Sequence, residues 1–297
     1  MPSWSEIYDE VNMYPPADRV SKLQDKVNEL LEKIGNHTNR NVITYYSGWL
    51  KGVESIHTAV NENDINAFMQ AIHNLDKSKG LDLILHTPGG DIGATESIID
   101  YLHSIFGNNI RAIIPQISMS AGSMIALSCA EIMMGKQSSL GPTDPQMGGV
   151  ACGAVLEEFE KAKQDVSENA SSLGLWQVII SKYHPTFLIA CENACEWSRE
   201  IVNKWLCVSN KRKKIISLFT DHTTSKSHSR HISKEKCKQV GLNIIDMEDD
   251  PVLQDLILTL HHSYMILFDI SIVIKIVMNN IGATYLRTQN ISPSSFN

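Results

Sequence analysis

The 297-residue chain holds only six cysteines, Cys129, Cys152, Cys191, Cys195, Cys207 and Cys237, and no two of them are spaced Cys-x-x-Cys. That spacing excludes a local zinc or thioredoxin-type motif, and core or surface thiols in a reducing compartment are expected instead of a disulfide framework. Basic residues are in the minority, with 26 Lys and Arg against 33 Asp and Glu and a net charge of −7. The charge is spread along the chain, which argues against nucleic acid as a main partner. Long apolar runs are missing too. The most apolar window, Tyr264 to Met278, is broken by Asp269 and Lys275, so a buried helix or strand is expected there and no stable membrane insertion. The opening Met1-Pro-Ser-Trp-Ser-Glu is polar and unlike a secretory leader, so the expected location is cytoplasmic. Repeats and low-complexity tracts are not evident.

What is present is a 43% apolar share, ample for a large core, and one organising pair of stretches. Leu83-Ile-Leu-His-Thr-Pro-Gly-Gly-Asp91 and Ile113-Ile-Pro-Gln-Ile-Ser-Met-Ser-Ala-Gly-Ser-Met124 each run from a β-branched or leucine-rich segment through small residues into a helical pattern. Each reads as strand, turn and helix, and two such units in succession build a parallel sheet. Sites in such sheets lie where strand carboxyl ends meet helix N-termini, which puts Gly89-Gly90 and Ser120 at one edge.

The chemistry implied is acyl transfer. A serine at a helix start can attack a carbonyl while a neighbouring amide receives the oxyanion, and a glycine pair lets a second stretch of main chain come close. Three serines crowd this junction. Ser118 would still be leaving the strand and Ser123 would lie in the first helical turn, which favours Ser120 as nucleophile with the two neighbours as alternatives. The oxyanion donors would be the backbone N–H groups of Ala121 and Gly90.

His86-Thr-Pro-Gly-Gly-Asp-Ile-Gly-Ala-Thr-Glu-Ser97, Met119-Ser-Ala-Gly-Ser-Met-Ile-Ala-Leu127 and Leu140-Gly-Pro-Thr-Asp-Pro-Gln146 resemble the Clp-fold serine proteinases of the serine dehydrogenase proteinase family. These are similar to ClpP and to signal peptide peptidase A-type enzymes. The likeness extends through Ser47-Gly-Trp49, Leu81-Asp-Leu-Ile-Leu85 and Ser225-Lys-Ser-His-Ser-Arg-His-Ile-Ser233, and so covers most of the chain. It implies a Clp/crotonase-like α/β fold, hydrolysis of a peptide or protein substrate through a seryl acyl-enzyme, no cofactor and no metal, and a homo-oligomer. The family pattern places the nucleophile before Ala-Gly, again selecting Ser120. Archaeal relatives commonly carry membrane anchors, which are not expected here.

A ClpP-type base would be a histidine some twenty-odd residues after the serine. That interval holds Thr143-Asp-Pro145 and no histidine, so a triad of that type is not expected. The signal-peptide-peptidase alternative is a Ser–Lys dyad, with Lys163 as first choice for the base and Lys161, Lys182 and His86 as rivals. Glu160, at i−3, stands in tension with Lys163. His222, His228 and His231 are expected to be surface or interface residues, and Asp144 a turn former with base orientation as its lesser reading.

Three regions are expected: an N-terminal helical arm over 1–40, with the amphipathic helix Ala17 to Ile34 ending at Gly35; a catalytic core over 41–150; and a mostly helical C-terminal region over 151–297. Residues Lys51 to Asn63 and Ser209 to Ser233 read as surface loop or linker. Two other functions fit the pattern: a crotonase-type acyl-CoA enzyme using the same oxyanion hole, and a non-catalytic scaffold with a relic site.

Overall fold

The computed structural model describes residues 3–52, 57–207 and 211–289. Along the chain come α1 (Trp4–Asn12), α2 (Arg19–Thr38), β1 (Asn41–Ser47), α3 (Asp64–Ile72), β2 (Leu81–His86), α4 (Ile92–Phe106), β3 (Ile110–Ile114), β4 (Ile117–Ser118), α5 (Ala121–Ser128), β5 (Glu131–Met134), β6 (Ser139–Leu140), β7 (Gln146–Met147) and β8 (Val150–Ala151). Then follow α6 (Cys152–Glu168), α7 (Leu173–Ile180), α8 (Phe187–Trp205), α9 (Arg212–Thr220), α10 (His222–Ser225), β9 (Ile232–Ser233), α11 (Lys234–Val240), β10 (Ile244–Asp246), α12 (Pro251–Ile270), β11 (Val273–Asn279) and β12 (Thr284–Thr288).

Seven strands form the central sheet in the order β10-β5-β3-β2-β1-β11-β12. The first five run parallel, and β11 and β12 join antiparallel at the β1 side. Strand side chains alternate between two apolar layers, as a period of two requires. Ile43, Tyr45, Leu83, Leu85, Ala112 and Ile114 pack toward α3, α4 and α5, whereas Val42, Tyr46, Ile84 and Ile113 pack toward α2 and α12. Burial on both faces is why these strands read as near-continuous apolar runs. The fold is therefore α/β with a mixed, mostly parallel sheet.

Three expectations change. The helix α2 runs through Gly35 and ends at Asn39, whose left-handed backbone (φ 52°) supplies the stop. Gly35 instead permits close approach, since a Cβ there would lie 2.4 Å from the Asn280 amide nitrogen, and Asn280 is held by the Val42 amide. The stretch 209–233 is not merely a linker: residues 209 and 210 lie outside the described residues, but α9 and α10 follow, with Ile215, Leu218 and Phe219 buried. The charges of Lys211-Arg-Lys-Lys214 obscured that apolar spacing. Of the expected 51–63 loop, residues 53–56 lie outside the described residues, while Thr58 and Val60 are buried against the sheet.

Candidate active site

Two parallel bridges hold the glycine turn in place. Thr87 pairs with Ser118, and Val60 pairs with Gly90. The Val60 amide donates to Gly89 O at 2.8 Å and the Asp91 amide to Val60 O at 2.9 Å. The C=O and N–H of a trans peptide point in opposite directions, so with Gly89 O turned to Val60 the Gly90 N–H points away from it. It has no hydrogen-bond partner among the described residues, and neither does the N–H of Ala121. Both residues line a cleft of about 440 Å³ with Ser120, Gly89, Met147 and His228. Side chains are excluded from this turn: a Cβ on Gly89 (φ 92°) would lie 2.6 Å from Ser120 Cβ, and one on Gly90 would lie 2.3 Å from Val60 O.

Ser120 sits between β4 and α5 with φ 48° and ψ −116°. The Gly122 amide donates to Met119 O at 2.8 Å, so Ser120 occupies the first central position of a type II′ turn, where glycine is the usual residue. A serine held there stores strain of order 1–3 kcal/mol, and such strain concentrates at functional sites. Its neighbours are otherwise engaged or enclosed. Ser123 Oγ donates to Ser118 O at 2.7 Å and accepts from the Gly141 amide at 2.8 Å, which locks the helix start. Ser118 is fully buried, its Oγ facing the Cα of Gly122. Only Ser120 of the three lines the cleft.

His228 lines the same cleft. Its Nδ1 lies 2.9 Å from Asp144 Oδ1, and the Asp144 side chain is only 1% exposed. Gln146 Nε2 donates to the other Asp144 oxygen at 3.3 Å, and His222 Nδ1 approaches it at 3.8 Å. The main chain around Asp144 is tied down: the Thr143 amide donates to Phe219 O, Ser198 Oγ to Thr143 O, and the Cys152 amide to Pro145 O. A histidine that engages a buried carboxylate through Nδ1 has Nε2 left for the cleft. No hydrogen bond links His228 to Ser120 among the described residues, and such contacts often tighten only when substrate binds.

The structure does not bring Lys163 to Ser120. Lys163 lies on the outer face of α6, 68% exposed, with Nζ 2.6 Å from Glu160 Oε1. The i−3 carboxylate captures it, and the water-excluding surroundings that turn a lysine into a base are absent. Lys161 and Lys182 are also exposed. His86 is fully buried behind the turn, its ring 4.4 Å from Trp49 and 5.1 Å from His261, and burial pushes its pKa well below the usual imidazole value. His228 was passed over in the sequence because it lies in a Ser/Lys-rich tract 84 residues beyond Asp144. Of its companions, His222 joins the Asp144 cluster, and exposed His231 bonds Ser139 Oγ at 2.7 Å.

No cluster of His, Cys, Asp and Glu suited to a metal occurs among the described residues, and the six cysteines are free. No helix among the described residues is long and apolar enough to cross a membrane.

The family description "ClpP-like SDH-type serine proteinase" matches residues 11–248. The chain belongs to this family. Its matches include two uncharacterised proteins of Methanocaldococcus jannaschii. One is 30% identical over 52% of this chain and 54% of its own length, the other 31% identical over 64% and 60%. The chain thus spans little more than half the length of these relatives.

Proposed function

We propose that this family member hydrolyses peptide bonds through an acyl-enzyme on Ser120, with His228 as general base, Asp144 as its orienting carboxylate, and the amides of Gly90 and Ala121 as oxyanion donors. The observation that carries the reading is that His228, seated on buried Asp144, lines the same cleft as the strained Ser120.

The steps follow from the geometry. Substrate enters between the glycine turn and the β7–β8 hairpin. Ser120 Oγ attacks the scissile carbonyl carbon as His228 Nε2 takes its proton, and the C–O π electrons move to the carbonyl oxygen, where two main-chain N–H groups receive them. Asp144 fixes the tautomer with the proton on Nδ1 and stabilises the imidazolium. His228 then protonates the departing amine nitrogen as the C–N bond breaks. Water repeats the sequence on the ester, regenerating Ser120. The order Ser, Asp, His along the chain is one of several that reach such an arrangement on unrelated folds.

A homo-oligomer forms part of the proposal, carried by the family resemblance and tested by analytical ultracentrifugation. The test of the chemistry is treatment with a fluorophosphonate probe followed by mass-spectrometric location of the adduct. Labelling of Ser120 in the wild-type chain, lost in Ser120→Ala and in His228→Ala, is expected. Labelling retained in His228→Ala and lost in Lys163→Ala would overturn the base assignment.

A further inference from the structure

We propose that the buried group Lys275, Asp64 and Tyr45 is a positioning device for the oxyanion hole, holding the short segment 59–61 against which the Gly89–Asp91 turn is clamped. This rests on the reading of the Gly90 amide as an oxyanion donor.

Lys275 on β11 and Asp64 at the start of α3 are both 0% exposed and paired at 2.8 Å. A buried ion pair is weak evidence of stabilisation, because desolvation offsets the attraction and apolar replacements are often neutral or better. Its hydrogen bonds converge on one place. Lys275 Nζ donates to both Asp64 oxygens and, at 2.7 Å, to Ala59 O. Asp64 Oδ2 accepts from the Asn61 amide at 3.0 Å and from Tyr45 Oη at 2.7 Å. Ser47 Oγ reaches Thr58 O at 2.7 Å. The residues flanking Val60 on both sides are thus fastened to the paired strands β1 and β11.

Val60 uses its own N–H and C=O on Gly89 and Asp91. Its position therefore sets the planes of the Gly89–Gly90 and Gly90–Asp91 peptides, and through the first of them the direction of the Gly90 N–H. A Cβ-free residue at position 90 is the counterpart of this clamp, since any side chain there would strike the Val60 backbone. The charges sit behind the clamp, do not line the cleft, and act on the reaction only through main-chain geometry.

The experiment uses the full chain with Asp64→Asn/Lys275→Met, which removes both charges at similar volume, and with Tyr45→Phe, which removes one hydrogen bond from the carboxylate and keeps the ring. Two readouts are taken. The first, independent of activity, is amide hydrogen exchange: exchange at Val60 and Asp91 is expected to rise at least about tenfold, with the β2 and β3 amides unchanged. The second is kinetics on a fluorogenic peptide: kcat is expected to fall at least about tenfold with KM within about twofold, because one donor is misaimed in the transition state while ground-state contacts persist. Absence of Ser120 labelling in the wild-type chain would sink the proteinase mechanism, and the exchange readout would still decide the clamp. Unchanged exchange at Val60 and Asp91, or unchanged kcat in a folded variant, overturns the proposal. Should the double variant not fold, Tyr45→Phe decides it, with an exchange rise at Val60 and Asp91 supporting the clamp and wild-type exchange and kcat overturning it.

Discussion

His228 Nδ1 stands 2.9 Å from the carboxylate of Asp144, a residue 84 positions earlier and shielded from solvent. This pairing engages Nδ1 and leaves Nε2 as the ring nitrogen for the base role proposed for His228. If it serves catalysis, Asp144→Asn and His228→Ala should each lower kcat by roughly 10²–10⁴-fold with the melting temperature nearly retained. Lys163→Ala should leave kcat within experimental error. Equal losses in all three variants would contradict the assignment.

Ser120 holds a backbone conformation that glycine adopts without penalty. Ser120→Gly should therefore be more stable than Ser120→Ala, by about 1–2 kcal/mol in denaturant unfolding, while both lack activity. An alanine variant as stable as the glycine variant would show that the turn carries no strain.

Gly90→Ala places a methyl 2.3 Å from Val60 O and 2.4 Å from Val60 N. The clamp must open, and the Gly90 N–H, proposed as an oxyanion donor, moves with it. A kcat loss of about 10²–10³-fold is expected, together with weakened binding of a peptide aldehyde relative to a peptide product. Binding of both ligands at wild-type strength would remove Gly90 from the oxyanion hole.

Stability should fall in acid because of two buried imidazoles. Burial holds His86 well below its usual pKa and brings His261 to about 3. In the unfolded chain each takes up a proton near pH 6.5, so below that pH the unfolded state binds more protons and gains on the folded one. The contribution is complete above about pH 6.5 and is lost as pH falls toward the folded values. Each group adds a slope of up to about 1.4 kcal/mol per pH unit. Urea unfolding between pH 7 and pH 4 should show this, with a shallower slope for His261→Gln. An unchanged slope would assign the acid sensitivity elsewhere.

The sequence by itself determined the two strand–turn–helix units and the glycine pair at one sheet edge, and it singled out Ser120, the one of the three serines that lines the cleft. These features are local: strand periodicity, small residues at a turn and a helix start lie within a dozen residues of one another, where neighbours in sequence are neighbours in space. The capture of Lys163 by Glu160 was legible for the same reason, as an i−3 contact on one helix. Only the tertiary structure decided that His228 reaches Asp144, because that pairing depends on how α6, α8 and α9 fasten residues 143–145 and on where the segment after α10 lies. The same holds for Lys275, which interrupts an apolar run in the sequence, and Asp64, which opens α3. They become one buried pair because an antiparallel strand from the chain's end lies beside β1, and hydrogen bonds across such distances in sequence leave no periodic trace in it.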